Sequence, residues 1–263
     1  MKESVLLVVG DKFAQFSTNN DVIRISQLRG LLSLPSFLSL EARRLVLLPG
    51  QGLGDDDIAE ILQLGNTSPH RALFDLSLWH QHPRRAPSNR SHKHKPENTL
   101  ISEPRRLSED LYELDLLIDE DCELMSDHQT GQHVQGMILL EAARQSFLAV
   151  TEAFFLPQDG TKFYFVINEM TARYARFAFP LDARIRYEIR SRDLAVASRR
   201  RFAADITVEQ CGTVAASFAT DFTVFEDARI ASREETLAVD AIDRHIAAFH
   251  ERRRSDYDLA AVA

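Results

Sequence analysis

The sequence predicts an α+β fold for the larger part of the chain, preceded by a small α/β unit. In the first 80 residues, short apolar runs alternate with a helical stretch, which is typical of strands and helices that form a parallel sheet. One long helical stretch follows at about 133–155. After it, apolar and polar residues alternate with a period of two, as they do in antiparallel strands with one packed face.

The N-terminal α/β unit is expected at residues 1–80. Three apolar runs in it are predicted as buried strands: VLLVVG at 5–10, RLVLLPG at 44–50 and ALFDLSLW at 72–79. Between the last two lies DDDIAEILQLG, which begins with acidic residues and ends at Gly65. Acids in the first turn and a glycine at the end are the start and stop signals of a helix.

The stretch PGQGLGDDD at 49–57 lies between a predicted strand and a predicted helix, where a dinucleotide-binding loop would lie. Asp55 stands where the third glycine of that fingerprint belongs, and acidic residues at a helix start repel a pyrophosphate. The two cysteines, Cys122 and Cys211, are far apart and lack a C-x-x-C spacing, so a zinc site of the usual kind is not expected. We therefore predict neither a cofactor nor a metal.

Composition and charge argue against several classes of function. Apolar residues make up 44% of the chain and charged residues 27%, an ordinary balance for a globular protein. A formal net charge of −8 disfavours a general nucleic-acid binder, which needs a basic surface. The apolar run near the N-terminus is too short for a signal peptide or a membrane span. We expect a cytoplasmic protein with reduced thiols and neither nucleic-acid nor membrane partners.

Residues 81–97 differ in composition from the segments on either side. The stretch HPRRAPSNRSHKHKPE contains three prolines, two serines and a cluster of Arg, Lys and His. Because such a segment has little to bury, it is predicted to be a basic linker. Contact of its cations with a phosphate or an acidic partner is the alternative.

Residues 98–228 are predicted to form the α+β domain, and residues 229–263 a helical tail. The predicted strands are LYELDLLI at 111–118, RIRYEIR at 184–190, ADITVE at 204–209 and the run at 214–224. Gln210, Cys211 and Gly212 are the predicted turn between the last two. Within the tail, residues 234–254 look helical and change from acidic to basic, as the helix dipole prefers.

The long helix has two different faces, given about 100° of rotation per residue. One face is apolar and suited to packing on a sheet; it comprises Leu139, Leu140, Ala143, Phe147, Val150 and Phe154. The opposite face combines the aliphatic residues Val134, Met137, Ile138 and Leu148 with Glu141, Arg144 and Gln145. Such a mixture indicates a partly buried polar site. An ordinary i, i+3 ion pair between Glu141 and Arg144 on an amphipathic helix is the alternative.

Three stretches carry a resemblance to a known family: HKHKPENTLIS at 92–102, DHQTGQHVQGMILLEAARQ at 127–145 and FVINEMTARYARFA at 165–178. With these stretches, residues 92–228 resemble the A-factor biosynthesis (AfsA-like) hotdog family. The resemblance implies a hotdog fold, in which an antiparallel sheet wraps a long central helix. Gly136 and Glu141 match the helix-start glycine and the catalytic acid of related hotdog dehydratases. Because family members typically carry two hotdog repeats and this chain shows one, the resemblance also implies a homodimer.

The implied reaction is transfer of a β-ketoacyl group from an acyl-carrier-protein or coenzyme A thioester. The acceptor would be a hydroxyl of a small phosphorylated compound such as dihydroxyacetone phosphate, in the biosynthesis of butyrolactone-type signals. A hotdog dehydratase or thioesterase and a non-catalytic module that binds an acyl ligand or dimerises are the alternatives. Dehydration ranks second because His128 is not followed by the Phe-Pro of the dehydratase turn.

Four residues are candidates for catalysis. Glu141 is expected to act as general base after its apolar surroundings raise its pKa. Arg144 is expected to bind the phosphate through its planar fork of donors. Gln145 would orient Glu141 or donate to the substrate. His128 is either a second acid/base or a loop residue that caps the helix.

Four further residues are candidates for substrate binding. Backbone N–H groups around Gln135 and Gly136, at the start of the helix, are expected to stabilise the thioester oxyanion. Met137 lies on the same face as Glu141 and is a candidate substrate contact. His133 has the same two possible roles as His128.

Overall fold

The computed structural model describes residues 4–35, 44–127 and 129–262, with the backbone alone at 228, 229, 231, 232 and 254–262. The helices are α1 (Ile25–Leu32), α2 (Asp55–Thr67), α3 (Ser77–His80), α4 (Ser88–Ser91), α5 (Gly136–Phe154) and α6 (Asp227–Val262). The strands are β1 (Ser4–Val9), β2 (Val22–Arg24), β3 (Leu45–Pro49), β4 (Phe74–Asp75), β5 (Arg105–Arg106), β6 (Leu111–Asp115), β7 (Phe163–Tyr174), β8 (Arg184–Val196), β9 (Arg199–Gln210) and β10 (Thr213–Glu226). Across these described ranges, no helix combines the length and apolar character needed to cross a membrane.

The N-terminal unit is built on a parallel sheet, as predicted. Its strand order is β2-β1-β3-β4, and β1 pairs in parallel with both β2 and β3. The predicted helix is α2, where the N–H of Gly54 donates to Asp57 Oδ2 at 2.8 Å and so satisfies a donor that a helix start leaves free. Leu47, Ile61 and Trp79 belong to the core of this unit.

The prediction of a strand over 72–79 is wrong for most of that run. Only the two residues of β4 are extended, and α3 follows at once. Asp75 Oδ1 accepts the N–H of Ser77 at 2.9 Å, a side-chain turn that ends the strand. Trp79 is 1% exposed and donates its indole N–H to the carbonyl of Leu47 at 3.0 Å. Burial of the indole with its donor satisfied favours the helical turn over a longer strand.

The second sheet is antiparallel, with the strand order β5-β6-β8-β9-β10-β7. In β8, Ile185, Tyr187 and Ile189 are buried and the charged residues between them are exposed, as the period of two predicts. The β9–β10 hairpin turns at Cys211 and Gly212, whose φ angles are 50° and 71°. Two consecutive positive φ angles are typical of a type I′ turn, so the predicted turn is confirmed.

The long helix α5 packs on this sheet and begins at Gly136 rather than near 133. The ring of Phe147 stacks on Phe222 of β10, with centroids 4.4 Å apart. Burial is not confined to the predicted apolar face, since Ile138 and Leu148 of the opposite face are also buried, whereas Phe154 is exposed. A long helix covered by an antiparallel sheet is the hotdog arrangement, as the resemblance implies.

Part of the segment 81–97, predicted to be a solvated basic linker, is packed against the rest of the chain. The side chain of Arg85 is 5% exposed, and its Nη1 donates to the carbonyls of Thr99 and Leu117, each at 2.5 Å. Its Nη2 donates to the carbonyl of Leu53 at 2.9 Å. Backbone carbonyls thus replace the water that a guanidinium loses on burial, which offsets its desolvation free energy. In the same segment, α4 packs on α5.

Gln51 joins the end of the parallel sheet to the second domain. Its side chain is buried, with Nε2 donating to the carbonyl of Leu116 at 2.9 Å and Oε1 accepting the N–H of Ile118 at 2.7 Å. The next residue, Gly52, donates its N–H to the carbonyl of Ile118 at 2.9 Å. These bonds satisfy backbone groups from both parts of the chain and hold the two parts together.

The tail helix α6 follows directly after β10 and contains the predicted helix at 234–254. Its first part contacts β7 and β10. From 233 to 253 every residue is exposed, although the side chain of Glu234 still bonds Tyr164 of β7.

Candidate functional site

Glu141 lies in the second turn of α5 and is the centre of a network of polar side chains. Its side chain is 17% exposed. Arg144 donates to it through two nitrogens, Nε to Oε2 at 2.8 Å and Nη2 to Oε1 at 3.0 Å. This two-point contact is a strong geometry for a guanidinium and a carboxylate. The i, i+3 ion pair is therefore present, and further partners join it.

Lys93 is the second cation on this carboxylate. Its Nζ lies 2.8 Å from Glu141 Oε1, and its side chain is 25% exposed. Lys93 belongs to the segment 81–97, which α4 brings against α5. These three side chains together carry one net positive charge, and Glu123, the other carboxylate near Lys93, is paired with Lys95.

Gln145 fixes the position of Glu141 from behind. Its Nε2 donates to Glu141 Oε1 at 3.1 Å and to the carbonyl of Asn98 at 2.9 Å. Its Oε1 accepts the N–H of Leu100 at 2.9 Å. Because the amide is fully buried and all these bonds are made, its orientation is determined by the backbone at 98–100. These contacts are those of a residue that orients Glu141, and the burial of Gln145 leaves no surface for a substrate; its catalytic role stays a prediction.

The pKa of Glu141 results from two opposed effects. Burial raises it, because a charged carboxylate loses solvation, but the hydrogen bonds from Arg144 and Lys93 outweigh burial and the pKa lies below its ordinary value. The prediction that apolar surroundings raise the pKa of Glu141 is therefore wrong. The carboxylate is ionised at neutral pH, and while both cations hold it, it is a weak base.

Glu141 and Arg144 face a cleft of about 330 Å³. Its wall comes mainly from α5, β7 and the loop before α5. The lining residues are Lys93, Asn98, Cys122, Glu123, Leu124, Met137, Leu140, Glu141, Arg144, Ile167 and Met170. Met137 is 57% exposed, so its thioether is accessible to a ligand. An apolar wall with a few charged groups at one side is typical of a small-molecule site.

Gly136 and His133 line a different cleft, of about 410 Å³. Tyr174 covers the helix start there and donates its hydroxyl to the carbonyl of Gly136 at 3.0 Å. The ring of His133 lies beside Phe177, with centroids 4.7 Å apart, and its Nδ1 is 3.2 Å from Thr130 Oγ1. The predicted site residues are thus divided between two clefts in the single chain, with Met137 beside the carboxylate network.

Gln135 precedes α5, and its side chain donates to the carbonyl of Asp127 at 2.5 Å instead of capping the helix. It therefore holds the approach loop in place. The role of the backbone N–H groups at the helix start as an oxyanion site stays a prediction. His128 lies outside the described residues.

Lys93 and Asn98 are site residues that the sequence analysis did not identify. Both lie in the stretch HKHKPENTLIS, which carries part of the resemblance. The sequence signal that could have found them is the group of lysines and histidines directly before Asn98. It was passed over because the segment was predicted to be solvated. Only the packing of α4 on α5 shows which of those cations reaches Glu141.

Comparison with solved structures finds matches to about half of this chain at low identity. A mutant thioesterase from Pseudomonas aeruginosa is 12% identical with a TM-score of 0.35, covering 48% of this chain and 81% of that one. A mutant thioesterase from Staphylococcus aureus subsp. aureus Mu50 is 13% identical with a TM-score of 0.37, covering 48% and 93%. An uncharacterised protein from Pyrococcus horikoshii is 17% identical with a TM-score of 0.35, covering 54% and 94%. No curated protein sequence matches the chain.

The family comparison is more extensive. The model of the A-factor biosynthesis hotdog domain (AfsA) matches residues 75–226, which is more than half of the chain. The match includes the segment around Lys93, the helix with Glu141, Arg144 and Gln145, and all strands of the antiparallel sheet. This chain therefore belongs to the A-factor biosynthesis hotdog family.

Proposed function

We propose that this protein is an acyltransferase that moves a β-ketoacyl group from a thioester to a hydroxyl of a small phosphorylated acceptor. The thioester would be carried by an acyl carrier protein or coenzyme A, and the acceptor would be of the dihydroxyacetone phosphate type. The product would be a precursor of a butyrolactone-type signal or related secondary metabolite. Membership of the family supports an enzyme or binder of acyl thioesters. The observation that carries the finer proposal is the Lys93–Glu141–Arg144 cluster beside an apolar cleft.

The apolar part of the cleft is assigned to the acyl chain. Met137 and Leu140 of α5 face Ile167 and Met170 of β7 across it. Flexible thioethers adapt to chains of different shape, and the volume of about 330 Å³ suits a short acyl group. The thioester carbon would then lie near the charged end of the cleft.

The acceptor phosphate is assigned to Lys93 and Arg144. Arginine presents a planar fork that matches phosphate oxygens, and lysine adds a compact charge. Both cations now point at Glu141, so a phosphate would compete with the carboxylate for them. The net positive charge of the cluster favours that exchange because a dianion pairs with two cations better than a single carboxylate does.

Glu141 becomes a stronger base when the phosphate takes its cations. Without the bonds from Arg144 and Lys93, burial is the dominant effect on its pKa and raises it. Glu141 then removes the proton of the acceptor hydroxyl, whose oxygen attacks the thioester carbon. The C–S bond breaks, the proton passes to the departing thiolate, and an ester and a free thiol result.

A homodimer belongs to the proposal. Strand β7 pairs with β10 on one side only, and an unpaired strand edge is a place where a second sheet can join. Tyr164 and Ile167 of β7 are exposed. Edge-to-edge joining of two copies there would extend the sheet beside the cleft.

The test uses mass spectrometry of the full chain incubated with a β-ketoacyl thioester and dihydroxyacetone phosphate. We expect an ester of the phosphate compound from the wild type, and a loss of about 100-fold or more in rate for Glu141→Gln. The matched control is Glu152→Gln, which makes the same change on the same helix at a residue that bonds His92. This control should keep the wild-type rate.

The other products identify the alternatives. Free β-keto acid would mean a thioesterase, and an unsaturated thioester formed from a β-hydroxyacyl substrate would mean a dehydratase. A thioester that stays intact yet binds would mean a non-catalytic module. Equal rates for wild type and Glu141→Gln would refute the assignment of Glu141 as the base.

A further inference from the structure

Helix α6 carries an apolar stripe that no part of its own chain covers within the described residues. The stripe consists of Val239, Ile242, Ile246 and Phe249, which are between 46% and 57% exposed. Their spacing of three, four and three residues places them on one face of the helix and is the spacing of a coiled-coil seam. Single exposed apolar residues are common, but four in this order form a surface suited to a second helix.

The length of α6 favours a packing partner. Thirty-six residues at 1.5 Å each give a helix of about 54 Å. In proteins, most helical stability comes from packing of an amphipathic face. Along 233–253 every residue of this helix is exposed to solvent, so its apolar face is not packed in the core of its own chain.

The charges of α6 indicate what the partner is. Residues 233–243 contain four acidic residues and one arginine, whereas residues 244–253 contain three arginines and one acidic residue. Two copies of this helix in parallel would place like charges together. In antiparallel order, the acidic half of each copy lies beside the basic half of the other, so the helix is complementary to itself.

We propose that α6 pairs with α6 of a second copy of this chain as a short antiparallel coiled coil. With the two-fold axis near Arg244, Val239 packs opposite Phe249 of the second copy and Ile242 opposite Ile246. Each contact then occurs twice, as in any isologous interface. This pairing depends neither on the proposed reaction nor on joining of the β7 edges.

Disulfide cross-linking of the full chain tests both the partner and the direction. Cys211 is exposed, so the experiment uses a Cys211→Ser background. One variant carries Val239→Cys and the other Phe249→Cys. The two are mixed and mildly oxidised, and the intact masses of the cross-linked dimers are measured by mass spectrometry. Antiparallel pairing brings the two new thiols within bonding distance, so we expect the mixed dimer in excess of the two homodimers.

Two further variants show that the stripe is responsible. Ile242→Asp with Ile246→Asp in both chains should reduce the mixed cross-link at least tenfold. Ala241→Asp with Ala248→Asp places the same charges on the outer face and should leave it unchanged. Cross-links only between identical cysteines would mean parallel pairing, and no cross-link above background would mean a different partner or none. Either result overturns the proposal.

Discussion

Gln145→Leu is the change that tests how the site is held in place. The two side chains have similar volume, so the substitution removes hydrogen bonds without creating a large cavity. The N–H of Leu100 loses its acceptor in a buried position, and the carbonyl of Asn98 and the carboxylate of Glu141 each lose a donor. An unsatisfied buried donor costs about 1–3 kcal/mol, and each partly buried bond adds about 0.5–1.5 kcal/mol. We therefore expect a loss of about 2–6 kcal/mol in the free energy of unfolding.

Urea unfolding followed by far-ultraviolet circular dichroism measures this loss. Tryptophan fluorescence is unsuitable because the single tryptophan, Trp79, lies in the N-terminal unit. The midpoint should fall while the dependence on urea stays constant. Gln63→Leu is the matched control, because the same change at an exposed glutamine of α2 should cost less than about 0.5 kcal/mol. If Gln145→Leu costs no more than the control, the buried amide does not determine the position of Glu141.

Three further predictions concern the cluster and the core. Lys93→Met should lower the transfer rate at least about tenfold, because a phosphate contact is lost. Lys162→Met, at an exposed lysine, should leave the rate unchanged, and steady-state kinetics of both variants test this. The pKa of Glu141 is lowered on folding, so its stabilisation is present above the ordinary carboxyl pKa and is lost as the pH falls through the folded-state value. The difference in free energy of unfolding between wild type and Glu141→Gln should therefore shrink from pH 7 towards pH 3. A difference that stays constant over this range would contradict the lowered pKa. Phe147→Ala removes a buried ring stacked in the core and should cost about 3–5 kcal/mol in urea unfolding, whereas Phe177→Ala, at a ring 69% exposed, should cost little.

The sequence predicts those elements of the fold in which burial follows a simple period. Strand β8 has one buried face and one solvent-exposed face, so apolar and charged residues alternate along its first half and the sequence predicts the strand correctly. Strand β7 is an edge strand whose residues are mostly exposed or half-buried on both faces. No alternation marks it, and it was not predicted as a strand.

Errors arise where a distant contact replaces a local preference. The strand predicted over 72–79 gives way to a helical turn because Trp79 finds the carbonyl of Leu47. The predicted linker is packed because Arg85 finds carbonyls from Leu53, Thr99 and Leu117. Composition describes what a segment carries, but it does not show which acceptors the fold will place around it.

The candidate site shows the same limit. The helical period correctly groups Glu141 and Arg144, which are neighbours in the chain. The bonds from Arg144, and then from Lys93 of another segment, reverse the expected direction of the pKa of Glu141. A sequence shows the apolar residues that raise a carboxyl pKa more readily than the distant cation that lowers it.

This competition on Glu141 leads to a last prediction, which rests on the proposed function. If the acceptor phosphate activates Glu141 by taking its cations, the phosphate and the reacting hydroxyl need not belong to one molecule. Dihydroxyacetone alone should be a poor acceptor, and added inorganic phosphite should accelerate its acylation.

The rate of transfer to dihydroxyacetone, measured by mass spectrometry with and without phosphite, gives the answer. In Lys93→Met the acceleration should be largely lost, because one of the two cations that bind the anion is gone. Sodium chloride at equal ionic strength separates specific binding of phosphite from screening of charges. Transfer to dihydroxyacetone that is as fast as transfer to its phosphate, and indifferent to phosphite, would show that Glu141 is active while both cations hold it. In that case Lys93 and Arg144 serve to position the carboxylate, and the acceptor is recognised elsewhere.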